Sequence, residues 1–154
     1  MPPTAPPDAA ALTAVLVRLG SLWTSITVLP ATGSTNADLA AAARRGAQDG
    51  TVLITDNQTS GRGRLDRTWV TPPGVSVACS VLLRPRGIGL ERWPWLSLMT
   101  GVGIVDGLRT ATGLPVGLKW PNDVMIHDRK LCGLLAEMVE TPVGPAVVLG
   151  FGIN

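Results

Sequence analysis

The chain is 154 residues long, 45% hydrophobic and 16% charged, which excludes an intrinsically disordered polymer of low hydrophobicity and high net charge. Its formal net charge of +2 is too small to imply a bulk polyanion partner, so any phosphate recognition has to come from local clustering of cations. Cys79, Cys132 and the lone His127 cannot supply the ligand set of a structural zinc site. Two buried reduced thiols are expected rather than a lone disulfide. The N-terminus lacks a basic signal-peptide region, and the apolar runs fall well short of the ~18 residues of a membrane span. These features predict a soluble, cytoplasmic domain with no membrane partner.

Residues 1–7 are proline-rich and are expected to form a disordered tail. Asp8 then caps a predicted helix over 9–19, with Leu12, Val15, Leu16 and Leu19 on one stripe and Gly20 as its stop. No helix-turn-helix fits ahead of it, so no nucleic-acid partner is expected. A strand is predicted over 26–29. Ser34 or Thr35 then caps a second helix, Thr35 and Asp38 resembling a capping box, and Gly46 ends it after Arg44 and Arg45. Residues 51–55 read as a short strand and 75–83 as the clearest strand of the chain. The longest helical pattern covers 91–112, with Pro94 in its first turn and Leu98, Val102, Val105 and Leu108 near one face. Gly101, Gly103 and Gly107 within it suggest close packing on a sheet.

Further strands are predicted over 116–120, 124–126, 130–139 and 146–151, with His127-Asp128-Arg129 closing a hairpin. Strands joined by short turns, with helices interspersed, predict an α+β fold: a mixed, largely antiparallel β-sheet with packed helices, not a doubly wound one.

Two segments carry candidate chemistry. In Gln58-Thr59-Ser60-Gly61-Arg62-Gly63-Arg64-Leu65-Asp66-Arg67, three guanidinium groups sit beside glycines that allow close backbone approach to a ligand. Such a loop suits an anion that must be covered and later released; a solvated basic loop is the bland reading. Only two lysines, Lys119 and Lys130, occur against 11 arginines, which points to positions requiring a compact ammonium. Lys119-Trp120-Pro121-Asn122-Asp123 is equally compatible with ordinary turn chemistry.

Taken together, these segments resemble the catalytic core of biotin protein ligases. The family's motifs stand as Ser34-Thr35-Asn36, as Gln58 with Gly61-Arg62-Gly63-Arg64 and Arg67-Thr68-Trp69, and as Lys119-Trp120-Pro121-Asn122-Asp123. They continue in Asp128-Arg129-Lys130-Leu131-Cys132-Gly133 and Gly150-Phe151-Gly152-Ile153-Asn154, in order, over about 28–154. Asp66, where many members carry glycine, is a departure. The resemblance implies a fold like that of class II aminoacyl-tRNA synthetase catalytic domains. It implies ATP-dependent joining of biotin to a lysine of a carrier protein through biotinyl-5'-adenylate, with Mg²⁺. The implied partner is the biotin carboxyl carrier domain of a biotin-dependent carboxylase.

By the same resemblance, Ser34, Thr35 and Asn36 read biotin's ureido ring, and Gln58 helps to close that pocket. Arg62, Gly63 and Arg64 belong to a loop that orders over biotin and the adenylate. Lys130 contacts the biotin carboxyl and the phosphate, so Lys130, Arg64 and Arg62 are the expected catalytic residues. Arg67, Trp69, Lys119, Asn122 and Asn154 fall on the nucleotide side, with Trp69 near the adenine, and Asp123 is the expected metal ligand. Trp93, Trp95 and Trp120 read as core or rim residues and His127 as an exposed turn residue. Cys132 reads as a small apolar strand residue, and Glu137 and Glu140 as solvated. Ser34-Thr35-Asn36 also fits a plain helix cap. Family enzymes continue past Gly-Ile-Asn into the rest of the catalytic domain and a small C-terminal β-barrel. The expectation is therefore a catalytic domain over 8–154 that is incomplete at its C-terminal end, without the barrel and without an N-terminal DNA-binding domain. A non-catalytic biotin- or adenylate-binding fragment and a lipoate or octanoate transferase are the rival readings.

Overall fold

A computed structural model describes residues 5–65 and 67–154, so Asp66 and the first four residues of the expected tail lie outside the described residues. Residues 5–7 form neither helix nor strand. The first half of the chain contains α1 (Ala9–Leu16), β1 (Ser25–Leu29), α2 (Thr35–Arg44), β2 (Thr51–Thr55), β3 (Gly61–Arg62), β4 (Thr68–Trp69) and β5 (Val77–Leu83). A 3-10 turn (Leu90–Arg92) then leads into α3 (Pro94–Thr112), β6 (Val116–Lys119), β7 (Asp123–Ile126), β8 (Arg129–Val139) and β9 (Ala146–Ile153).

Among the described residues, seven strands form one sheet in the order β1-β2-β5-β9-β8-β7-β6, and β3 pairs only with β4. β1 and β2 run parallel because α2 crosses between them; every other neighbouring pair is antiparallel. The mixed, largely antiparallel α+β architecture expected from the sequence is therefore the observed one.

Strand alternation divides the core between the two faces of this sheet. On one face, Leu39, Ala40 and Ala43 of α2 bury against Leu82, Val139, Ala146 and Val148. On the other, Val105 of α3 packs with Val116, Val124, Cys132 and Leu134, and Leu12 of α1 reaches Val52, Ile54, Cys79 and Val81. Both cysteines are free and buried on this second face. No helix among the described residues is long and apolar enough to cross a membrane.

Three expectations change. The first helix stops at Leu16, with Val17 already extended, and Leu19 and Val15 of the expected stripe are exposed. β-Branched Val15 and Val17 are poor helix formers, and Ser21 Oγ accepts from Arg18 N at 3.3 Å, turning the chain away. The long helix begins at Pro94 rather than at 91, because proline has no N–H to donate and is stable only in the first turn. Its buried face is Gly101 and Val105 with Ile104 and Leu108, whereas Val102 is exposed. Close packing holds at Gly101, where a Cβ would lie 2.7 Å from Leu118 Cδ1; Gly103 and Gly107 face open space.

Candidate active site

The site lies on the α2 face of the sheet, where register aligns small residues in rows. Ser80 of β5 pairs with Gly150 of β9, which pairs with Leu135 of β8; the next row is Ala78, Gly152 and Gly133. Asn36 rests on the first row. A Cβ on Gly150 would lie 2.0 Å from Asn36 Oδ1, so only glycine leaves room for that amide. Trp69 rests on the second row, where Cβ atoms on Gly133 and Gly152 would lie 2.8 and 2.9 Å from its ring.

Ser34 is the N-cap of α2, in an extended conformation, its Oγ accepting from Ala37 N at 3.4 Å. Thr35 is thus inside the helix, and Asp38 binds the Thr32 hydroxyl, so the expected capping box does not form. Ser34, Thr35 and Asn36 are all buried. Thr59 N donates to Thr32 O and Ser60 N to Gly33 O, each at 2.8 Å, zipping the segment after β2 onto the segment before α2. That places Gln58 Oε1 2.9 Å from Thr35 N and 3.1 Å from Thr35 Oγ1. Ser80 Oγ, fully buried, lies 2.6 Å from Asn36 Oδ1 and 2.8 Å from Thr35 Oγ1.

The Gly-Arg segment forms the β3–β4 hairpin, closed by Gly63 N donating to Arg67 O at 2.7 Å. A Cβ on Gly61 would meet Trp69 O at 2.5 Å and Gln58 Nε2 at 2.8 Å, so glycine lets the hairpin close on the pocket. Each site cation has a counterpart. Arg62 pairs with Glu137 at 3.0 Å, Arg64 Nη1 donates to Asn122 Oδ1 at 3.0 Å, and Lys130 Nζ lies 2.6 Å from Asp123 Oδ1. Lys130 also stands 5.4 Å from the centre of the Trp69 ring. Asn122 is itself fixed, donating from Nδ2 to Leu134 O at 2.9 Å.

Ten of the expected residues thus surround one cavity: Ser34, Thr35, Asn36, Gln58, Arg62, Gly63, Arg64, Trp69, Asn122 and Lys130. Arg67 lines a neighbouring hollow with Thr59, Arg62 and Glu137 rather than this cavity, and Asn154 is exposed beyond β9, its N donating to Leu131 O at 2.8 Å. Lys119 is exposed on the edge strand, its Cα paired with Asp123. Asp123 is committed to Lys130, and among the described residues no group of three or more His, Cys, Asp or Glu side chains could hold a metal. Magnesium keeps several waters and takes one or two carboxylates with substrate phosphates, so Asp123 would meet a metal only by giving up its pair with Lys130.

His127 is exposed in the β7–β8 turn at φ +49°, and Glu140 is exposed, as the sequence suggested. Trp93 is buried, while Trp95 and Trp120 are largely exposed. Burial pushes the Cys132 thiol up to about 12 against the opposing pull of Lys130, and the Cys79 thiol likewise to about 12. Glu137 is a correction. It is not merely solvated but accepts from Asn36 Nδ2 at 2.8 Å as well as pairing with Arg62. Ser80, Gly133, Gly150 and Gly152 are the other residues whose site positions sequence reasoning missed. Gly133 and the two β9 glycines stood in the sequence only as parts of motifs, without a spatial role.

An α+β domain that opens a hydrogen-bonding, cation-lined cavity on one sheet face, beneath a glycine-arginine hairpin, is the class these features define. Residues 23–154 match the Biotin/lipoate A/B protein ligase family, and the chain belongs to it. It is 42% identical over 153 residues to the biotin--[acetyl-CoA-carboxylase] ligase of Mycobacterium tuberculosis, covering 97% of this chain and 56% of that protein. It is 38% identical over 136 residues to the bifunctional ligase/repressor BirA of Escherichia coli, covering 84% of this chain and 40% of that one. The biotin protein ligase of Aquifex aeolicus, solved in complex with biotin and ATP, superposes with a TM-score of 0.70 at 34% identity, over 86% of this chain and 53% of that one. The chain therefore spans about half the length of the relatives it matches.

Proposed function

We propose that this chain carries the catalytic core of an ATP-dependent biotin–[biotin carboxyl carrier protein] ligase. The observation that supports this best is the division of a single cavity. Asn36, Thr35 and Gln58 gather amide and hydroxyl groups around Ser80 at one end, and Lys130 beside Trp69 and Arg64 on Asn122 bring positive charge to the other, with Arg62 held next to Asn36 by Glu137. Biotin has the matching polarity: a ureido ring with N–H and C=O groups, and a carboxylate at the end of its chain.

In the first step a biotin carboxylate oxygen attacks the α-phosphorus of ATP, forming a mixed anhydride and expelling pyrophosphate. Two anions must meet, so the groups that count are cations placed where charge develops. Lys130 is that group in our reading. Its ion pair with Asp123 is part-exposed, with side-chain exposures of 39% and 30%, and pairs of this kind contribute only about 0–1 kcal/mol. An incoming carboxylate or phosphate oxygen can therefore replace Asp123 at little cost. Arg62, Gly63 and Arg64 close over the product and exclude water, protecting the anhydride from hydrolysis. In the second step the uncharged amine of a carrier lysine attacks the acyl carbon, the amide bond forms, and AMP leaves.

We assign Ser34, Thr35, Asn36 and Gln58 to the biotin ring, and Arg67, Trp69, Lys119, Asn122 and Asn154 to the nucleotide side. Magnesium enters as the MgATP substrate, held by polyphosphate oxygens. The partner is the carrier domain of a biotin-dependent carboxylase, and the reaction belongs in the cytoplasm with its ATP. Titration calorimetry of this chain with biotin, then with biotin plus ATP and Mg²⁺, tests the reading. Biotin binding followed by pyrophosphate release supports it. Binding without pyrophosphate release reduces the chain to a biotin-binding fragment, and preference for lipoate or octanoate over biotin overturns the substrate.

A further inference from the structure

One carboxylate joins two parts of the site that lie far apart in the sequence. Glu137 Oε2 accepts from Asn36 Nδ2 at 2.8 Å and from Arg62 Nη2 at 3.0 Å, and its Oε1 lies 3.0 Å from the same Nη2. Its position on β8 follows from the register. Glu137 pairs with Val148, one step along the α2 face from the Leu135–Gly150–Ser80 row beneath Asn36. Val148 belongs to the fully apolar cluster under α2. A carboxylate bordering such a cluster is costly unless its oxygens are paired, and here both are.

The bonds have a consequence on each side. Asn36 Oδ1 lies 2.6 Å from Ser80 Oγ while Nδ2 donates to Glu137 at 2.8 Å and to the Leu135 carbonyl at 3.3 Å, so the amide is held in one orientation of the two it could adopt. Reversing it would turn its carbonyl towards a carboxylate and a backbone carbonyl, neither of which can donate. On the other side, Arg62 is the first strand of the β3–β4 hairpin, and Glu137 is the acidic residue that ties it to the sheet. The neighbouring Arg64 donates instead to a neutral acceptor, the Asn122 amide oxygen.

We propose that Glu137 is a positioning residue that couples closure of the glycine-arginine hairpin to recognition of the biotin ring. The Glu137 carboxylate makes the shorter of two bonds that set the donor direction of Asn36, the other being to the Leu135 carbonyl, and it also anchors Arg62, so a hairpin seated on the sheet and a correctly presented ring-binding amide occur together. Glu137 moves no proton in this role and makes no bond to the reacting atoms. The coupling rests on the biotin-ligase reading; the clamp itself does not.

Two substitutions separate the two bonds. Glu137→Gln keeps an acceptor for Asn36 but loses the charge that holds Arg62, whereas Glu137→Ala loses both. Limited trypsin digestion of the ligand-free chain, read by fragment mass, reports hairpin release at Arg62 and Arg64. Cleavage there is expected to rise about tenfold in Glu137→Gln, the effect of weakening one charged hydrogen-bonded contact. Biotinyl-adenylate should also leave Glu137→Gln about tenfold faster, while biotin affinity stays within about threefold of the parent. Glu137→Ala should add a loss of biotin affinity of about tenfold or more. The exposed Glu140→Gln serves as control and should match the parent in every assay. If Glu137→Ala fails to fold, Glu137→Gln alone carries the test. Parental cleavage and parental adenylate release in Glu137→Gln would overturn the proposal. A parent chain that binds no biotin would overturn the ligase reading and the coupling, yet the digestion would still decide whether the clamp exists.

Discussion

Asn36 occupies the space that a side chain on Gly150 would need, its Oδ1 lying 2.0 Å from where a Cβ would be. The contact is between a helix start and a central strand, and it explains why β9 carries glycine there. Gly150→Ala must displace the Asn36 amide and so break its contacts with both Ser80 and Glu137. With a net value of about 1 kcal/mol per hydrogen bond, the expected loss of stability is about 1–3 kcal/mol. Biotin affinity should fall at least about tenfold, since the displaced groups line the pocket. Chemical denaturation and calorimetry check both. Gly103→Ala, on the open face of α3, should instead be neutral or stabilising by up to about 1 kcal/mol.

Lys130 carries the sharpest catalytic prediction. Lys130→Ala should leave the fold intact, because its pair with Asp123 is part-exposed and such pairs contribute about 1 kcal/mol or less. It should reduce biotin-dependent pyrophosphate release by about 10²-fold or more, the scale seen when one preorganised electrostatic donor is removed. Normal pyrophosphate release by a folded Lys130→Ala protein would take Lys130 out of the mechanism. Asp123→Asn should cost far less, because it removes only the group that Lys130 leaves when an anion binds.

What could be read from the chain beforehand divides by distance along it. The Ser34 cap, the Gly46 stop, the β7–β8 turn at His127-Asp128 and the valine-rich β5 rest on local chemistry, and each is found where expected. α1 ends before its apolar stripe does, because β-branched Val15 and Val17 and the turn in which Ser21 Oγ accepts from Arg18 N favour leaving the helix. Glu137 and Ser80 were invisible for a different reason. Their partnership with Asn36 spans 101 and 44 residues, and depends on the β5-β9-β8 order and its register. No local pattern distinguishes Glu137 from Glu140, since only the alternation of β8 points one of them at α2. The motif resemblance located the cavity; the network that orients its residues came from tertiary structure.

Arg64 should act on retention rather than on chemistry. Its guanidinium reaches Asn122 across the mouth of the cavity at 3.0 Å, a contact that must open for ligands to enter and leave. Arg64→Gly removes that closure and adds backbone freedom to the hairpin. Biotinyl-adenylate should then escape and label bystander lysines, detectable as biotin on an unrelated protein added to the reaction. Unchanged bystander labelling would argue that the hairpin retains the adenylate without Arg64.

The two cysteines predict how stability responds to alkaline pH. Burial raises both thiols from 9.0 to about 12, so in the folded chain they stay protonated where an unfolded chain would ionise them. Below pH 9 both states are neutral and the thiols contribute no pH dependence. Above it the unfolded state binds fewer protons, so stability falls as pH rises, by up to about 1.4 kcal/mol per unit per thiol. The fall continues until the folded values near 12 are reached. Few other groups mask this slope, because the chain has no tyrosine and only two lysines, and arginine stays charged. Urea denaturation at pH 8, 9.5 and 11 should show the decline, roughly 3 kcal/mol per thiol by the last. Cys79→Ala should lower stability at pH 8 slightly and flatten the decline. A decline as steep in the double Cys79→Ala, Cys132→Ala variant as in the parent would show that the thiols are not its source.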